Sequence, residues 1–218
     1  MVSMTIMNRV RQERVIAIVR GQPLDALLHL AQAFKEGGIG MMELPFAQNA
    51  PETWKDTAAA ISAVKKEFGN DVLVGAGTVI TPEQLKIAVD AGAQYLVTPT
   101  TDTEIIRTGK KQGLGMFPGA LTPTEILTAY NAGADAVKVF PAGCMGAEYI
   151  KAVHVPLSHI PLMAMCGITE KNAADFIKAG CCCVGVSGRL VNQEWIKAGE
   201  WNKITSLAKE FKKAVYSV

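Results

Sequence analysis

The chain has 218 residues, 49% hydrophobic and 19% charged, a globular composition with room for a substantial core in one large domain or two small ones, and the absence of a linker-like segment favours one, spanning 1–218. A formal net charge of +2, from 22 basic and 20 acidic residues, gives no electrostatic reason to expect nucleic acid or an anionic membrane as partner. The opening MVSMTIMNRVRQERVIAIVR lacks the apolar core and cleavage site of a secretory signal, and no apolar run approaches the ~18 residues of a membrane span, so a cytoplasmic address is expected.

Residues 3–12 read as a short leading helix. Strands are then predicted near 15–19, 39–44, 72–75, 94–97, 114–117, 135–140, 161–164 and 182–186. Helices follow them near 24–36, 52–67, 82–91, 103–111, 123–132, 147–153, 170–179 and 193–214. Two phrases mark the repeat. Small residues and glycine end a helix and lead into a β-rich run, as in EGGIGMMEL (36–44), AGAQYLVTP (91–99), AGADAVKVFP (132–141) and AGCCCVGVSG (179–188). Helix starts read TPEQL (81–85), TPTEI (122–126) and TEKNA (169–173). In the first two, a threonine N-cap precedes a proline at the first helical position, with a glutamate near the positive helix end. Strict strand–helix alternation means a parallel sheet with helical crossovers. Eight repeats without a linker favour an α/β fold of one closed (β/α)8 TIM barrel, and a doubly wound open sheet is the alternative.

Five cysteines include the run Cys181, Cys182, Cys183. Strand alternation sends neighbours to opposite faces, so the three are expected as small core residues rather than a metal site. Cys144 and Cys166 fall in loop contexts where they could be exposed.

Within ADAVKVFPAG (134–143), Lys138 stands in an apolar strand. A buried ammonium there loses hydration and must be paired, neutralised or used. Glu43, in GMMELPF (40–46), is the matching charged residue near the end of the second strand. Alternation puts Lys138 on the face of Ala136 and Phe140, and Glu43 on the face of Met41. If both faces point inward, an amine and a carboxylate meet at one barrel mouth, where barrel sites lie. A merely structural ion pair is a weak alternative, because such pairs stabilise little after desolvation. The chemical reading is a lysine with a depressed pKa that attacks a ketone, beside a carboxylate that moves protons.

Other fragments carry less. GAGTVI (75–80) lacks the third glycine of a dinucleotide fingerprint, and GVSGRL (185–190) places Arg189 where a nucleophile elbow needs glycine. His29, His154 and His159 have no ligand spacing, so neither metal nor cofactor is expected. Anion contacts are better placed. The loops after the seventh and eighth strands read CGIT (166–169) and SGRL (187–190), where Gly167, Ser187 and Gly188 permit close backbone approach and Arg189 could add charge. Arg20, just beyond the first strand, is a candidate carboxylate or phosphate ligand.

At GGIGMMEL, VGAGTVITPEQL, AGAQYLVTP, FPGALTPTE and VKVFPA the sequence resembles the 2-keto-3-deoxy-6-phosphogluconate / 4-hydroxy-2-oxoglutarate aldolases, in order and over nearly the whole chain. The resemblance implies a metal-free class I (Schiff-base) aldolase on a (β/α)8 barrel, assembled as a homotrimer and acting on a small keto acid. It implies Lys138 as the Schiff-base lysine and Glu43 as general acid/base. Thr78 and Pro99 would lie near the pyruvyl group, and Phe140 beside the imine. Two departures stand out. ELPFAQ (43–48) puts Ala47 where phosphogluconate-type members carry an arginine, and is closer to the 2-keto-3-deoxy-6-phosphogalactonate aldolases, which share an arginine like Arg20. The phosphate loop T-G-G-I reads Met165-Cys166-Gly167-Ile168. The expected reaction is cleavage of a 2-keto-3-deoxy-6-phospho sugar acid to pyruvate and glyceraldehyde 3-phosphate, with 4-hydroxy-2-oxoglutarate as a further substrate. Oxaloacetate decarboxylation through the same imine, or an idle keto-acid-binding barrel, are the alternatives.

Overall fold

A computed structural model describes residues 5–218. Nine strand segments run β1 (Val15–Ile18), β2 (Met41–Pro45), β3 (Leu73–Gly77), β4 (Tyr95–Val97), β5 (Gly115–Phe117), β6 (Gly119–Ala120), β7 (Val137–Val139), β8 (Leu162–Met165) and β9 (Cys181–Val186). All pair in parallel, in the order β5-β4-β3-β2-β1-β9-β8-β7-β6. The strand expected near 114–117 is β5, and it continues beyond the expectation as β6, past Pro118, which has no N–H to give to a ladder. The Pro118 carbonyl still accepts from Lys138 N at 2.8 Å, and Met116 O accepts from Asp135 N at 3.0 Å. One strand thus bonds β4 through its first half and β7 through its second. The sheet closes on itself, which makes the fold a (β/α)8 barrel and excludes the open sheet.

The helices are α1 (Ile6–Glu13), α2 (Leu24–Glu36), α3 (Trp54–Phe68), α4 (Pro82–Asp90), α5 (Thr103–Lys111), α6 (Pro123–Asn131), α7 (Ala142–Met145), α8 (Ala147–His154), α9 (Ala173–Lys178), α10 (Gln193–Lys197) and α11 (Trp201–Tyr216). The leading helix expected over 3–12 corresponds to α1, with residues 3 and 4 outside the described ones. Thr81 and Thr122 form capping boxes with Gln84 and Glu125, as TPEQL and TPTEI led one to expect. The third such phrase behaves differently. Asn172 turns back to accept from Thr169 N at 2.7 Å, which delays α9 to Ala173. The long helix expected over 193–214 is broken between α10 and α11, where Gly199 adopts φ +67°.

Two apolar layers result. Outside the barrel, residues such as Phe34, Leu44, Val74 and Phe211 pack strands against helices. Inside it, Ile16, Met41, Tyr95, Phe117, Ala136, Met163 and Cys183 fill the lumen, and Val10 of α1 plugs its lower end. Met41 and Ala136 are therefore inward-facing, as the alternation argument for Glu43 and Lys138 required. The cysteine run does not alternate cleanly. Leu162 pairs with Cys181 and Met163 with Cys183, so Cys182 is the extra residue of a β-bulge and packs toward the lumen beside Cys183.

Candidate active site

Lys138 and Glu43 are both buried, at 6% and 1% exposure, although each is ionisable. The geometry around Glu43 begins with glycine. Gly75 and Gly77 of β3 have no side chains to put in the lumen. Tyr95 fills the space over Gly75 and donates its hydroxyl to Met42 O at 2.5 Å. Glu43 fills the space over Gly77, where an added Cβ would stand 2.7 Å from Glu43 Cγ and Cδ. The GAG fragment is thus two vacancies, each occupied by a large residue of an adjacent strand. Sequence reading missed this role, because a vacancy leaves no mark beyond the glycine itself.

Burial raises the Glu43 carboxyl above its ordinary range, and the charges of Lys138 and Arg20 only partly oppose this. Its Oε2 is buried without a hydrogen-bond partner among the described residues. Burial likewise lowers the Lys138 ammonium, opposed by Glu43 and Cys166 and reinforced by Arg20. The two groups act on each other through space, with no direct ion pair between them. Desolvation outweighs attraction in both, and both are pushed toward their neutral forms. Lys138 Nζ lies 4.8 Å from the centroid of the Phe140 ring, which is itself 37% exposed. Arg20 is exposed at the end of β1, yet its charge is felt by both buried groups.

Thr78 follows β3 with φ +56°, a strained setting for a β-branched residue. Gln48 Nε2 donates to Thr78 O at 2.7 Å, and Gln84 Nε2 donates to Gln48 Oε1 at 2.9 Å. The fully buried Gln84 also accepts from Ile80 N at 2.8 Å, so its capping position fixes the loop that carries Thr78. Pro99 and Phe140 line a cavity of about 410 Å³ with Thr101, Gly119 and Thr124.

The proposed anion loops meet beside this mouth. Gly143 N donates to Cys166 O at 2.9 Å, tying the segment after β7 to the loop after β8. Cys166 is exposed with φ +80°, and Gly167 follows at φ +73°. Ser187 Oγ donates to Ile18 O at 3.0 Å, and Gly188 begins a short 3₁₀ turn, Gly188–Val191. Arg189 is not a free cation. It pairs with Glu170 Oε1 at 2.8 Å, linking the loop after β8 to the loop after β9. Ala47 is exposed and borders a larger cavity of about 660 Å³ between α2 and α3.

A closed parallel barrel that holds a desolvated lysine and a buried carboxylate among its strand ends belongs to the class of barrels equipped for imine chemistry on carbonyl compounds. The family described as "KDPG and KHG aldolase" matches residues 6–207. The 2-dehydro-3-deoxy-6-phosphogalactonate aldolase of Escherichia coli K12 is 39% identical over 178 residues, 81% of this chain and 83% of that protein. The 2-dehydro-3-deoxy-phosphogluconate aldolase of Treponema pallidum is 31% identical over 207 residues, covering 94% and 95%. Among solved structures, the KDPG aldolase of Legionella pneumophila, with pyruvate captured as a covalent carbinolamine, is 28% identical with a TM-score of 0.82 over 93% of this chain and 96% of that one. The chain belongs to the KDPG/KHG aldolase family.

Proposed function

We propose that the protein is a class I aldolase that cleaves a 2-keto-3-deoxy sugar acid to pyruvate and an aldehyde, with Lys138 as the imine-forming residue. The juxtaposition of a desolvated amine and a buried carboxylate in one lumen carries this reading. Neutral Lys138 attacks the C2 ketone to give a carbinolamine, which loses water to form an iminium. Glu43 takes the C4 hydroxyl proton, the C3–C4 electron pair moves into the iminium, and the aldehyde leaves. The resulting enamine is protonated at C3, and hydrolysis frees pyruvate and the amine. Phe140, at cation–π distance from the amine, supports the positive iminium. Thr78 and Pro99 would flank the pyruvyl group, and Arg20 would hold its carboxylate. Gly167, Ser187 and Gly188 would offer backbone contacts to a 6-phosphate, giving glyceraldehyde 3-phosphate as the aldehyde. The same chemistry would split 4-hydroxy-2-oxoglutarate to pyruvate and glyoxylate. A homotrimer in the cytoplasm is the setting that the family resemblance suggests. Similarity to the galactonate-type enzyme, together with Ala47 and Arg20, favours a phosphogalactonate-type substrate.

The test is borohydride reduction in the presence of pyruvate. One pyruvyl mass should appear on the peptide carrying Lys138, and Lys138→Met should lose both adduct and pyruvate release. An adduct on another lysine, with the variant still active, would remove Lys138 from the mechanism. An adduct without turnover on any keto-deoxy acid would leave an idle binding barrel.

A further inference from the structure

Arg189 and Glu170 stand on the two loops between which a terminal phosphate would lie, and they are joined at 2.8 Å. The Glu170 side chain is only 12% exposed against 59% for Arg189, so the carboxylate is set into the protein and the guanidinium reaches over to it. Glu170 Oε2 is buried with no hydrogen-bond partner among the described residues, so the guanidinium, paired with Oε1, leaves the other oxygen unmet. The backbone that leads to Glu170 is also held in place. Asn172 Oδ1 accepts from Thr169 N at 2.7 Å, and Asn172 Nδ2 donates to Gly167 O at 3.0 Å, which fixes the chain on both sides of Ile168. A negative charge is thus built into a loop whose backbone otherwise suits an anion.

We propose that Glu170 is a specificity-determining residue that opposes the phosphate of a phosphorylated substrate. It does so in two ways: it occupies Arg189, and it places a fixed negative charge beside the anion. A substrate ending in a dianionic phosphate must compete with Glu170 for the guanidinium, whereas one ending in a neutral hydroxyl leaves the pair intact. This rests on the aldolase reading above and deepens it, because it makes the charge of the distal group a choice set by one carboxylate. A different role for the same pair would be to tie the two loops into a ready-made phosphate cradle. The two roles give opposite signs when the pair is cut.

The experiment measures kcat/KM for pyruvate release from a matched pair of keto-deoxy acids, with and without the 6-phosphate. It uses the wild type, Glu170→Gln, Arg189→Ala and the double variant. Glu170→Gln should raise the phosphorylated-to-unphosphorylated ratio at least tenfold, mainly through KM, because the contact is made equally in ground and transition states. The double variant should lose most of that rise. A ratio that falls in Glu170→Gln assigns the pair to the cradle role and overturns the proposal. A ratio that moves less than twofold, or a rise undiminished without Arg189, overturns it as well. If Glu170→Gln does not fold, Glu170→Asp, which withdraws the carboxylate by one methylene, should give a smaller rise, and no rise there is equally decisive. Borohydride trapping of pyruvate, which carries no phosphate, is run on each protein. Loss of trapping on Lys138 in the wild type would sink the aldolase reading instead, so the two failures are distinguishable.

Discussion

Gly77→Ala tests whether the placement of Glu43, rather than its presence, matters. Gly77 is the last residue of β3, is buried, and is not among the positive-φ glycines, so its backbone accepts alanine. The conflict is with one side chain. The new Cβ would stand 2.7 Å from Glu43 Cγ and Cδ, and nearer still to Oε1, whereas ordinary contact begins at 3.4 Å. The carboxylate must therefore retreat by roughly 1 Å. It can do so by turning about its own torsions, so the fold should survive, helped by ~0.5–1 kcal/mol from replacing glycine in a strand. A misplacement of that size at a reacting group costs about 10²-fold in rate. Turnover of the best keto-deoxy acid should accordingly drop by about two orders of magnitude, while pyruvate trapping on Lys138 persists and the thermal midpoint stays within a few degrees. Gly75→Ala is the contrast. It crowds the rigid Tyr95 ring, with Cζ 2.6 Å from the new Cβ, and should destabilise by ~1–3 kcal/mol through overpacking. Turnover in Gly77→Ala within twofold of wild type would refute the idea that Glu43 works from that pocket.

Glu43→Gln should cut turnover by ~10²–10⁴-fold, the usual range for a general acid/base, while leaving the pyruvate adduct detectable. Because Glu43 opposes the lowering of the Lys138 ammonium, its loss should lower that pKa further and shift the acid limb of trapping rate against pH to lower pH; a shift to higher pH would contradict the assigned coupling. Cys166→Gly removes a side chain from a φ of +80° and should stabilise by ~1 kcal/mol, raising the midpoint by ~2–4 °C. It should also raise the preference for phosphorylated substrate, and a lower midpoint would mean that the cysteine is not strained.

Alternation along short apolar strands was enough to send Met41, Glu43, Ala136 and Lys138 to the lumen, because a parallel strand in a barrel has no third place to put a side chain. Strand–helix alternation likewise pointed to a parallel sheet and favoured the barrel, and the bonds of one strand to both β4 and β7 exclude the open sheet. What escaped detection depends on partners distant in sequence. The division of the fifth strand follows from which neighbour Pro118 faces, and the bulge at Cys182 from how β8 pairs with β9. The occupation of Gly75 and Gly77 by Tyr95 and Glu43 needs three strands in register. Arg189 reads as a free charge in isolation. Only the fold brings Glu170 to it.

The barrel divides its labour between its two ends. At the lower end Glu13 accepts from Lys212 Nζ at 3.1 Å and Gly40 N at 3.0 Å and forms an ion pair with Arg9, Nε to Oε1 3.0 Å, so one buried carboxylate joins α1, α11 and the approach to β2. Arg14 donates to Val215 O at 2.8 Å, and Tyr216 donates to Gln12 O, which fastens the end of α11 to the start of the chain. These contacts cross-link the two ends of the chain, although Arg9 Nε and His154 Nδ1 are buried without a hydrogen-bond partner among the described residues. At the upper end the pattern reverses. Glu43 and Lys138 are buried without pairing, and Thr78 and Cys166 hold positive φ without being glycine, whereas the one lower-end counterpart among the described residues, Arg14, does so as the left-handed cap of α1. Each of these features costs stability where it stands, and a barrel selected for stability alone would replace them with apolar side chains and relaxed turns. Their concentration at the end where the strands' C-termini open is therefore itself an argument for chemistry there. The cross-linked lower end supplies the rigidity against which the strained mouth is held.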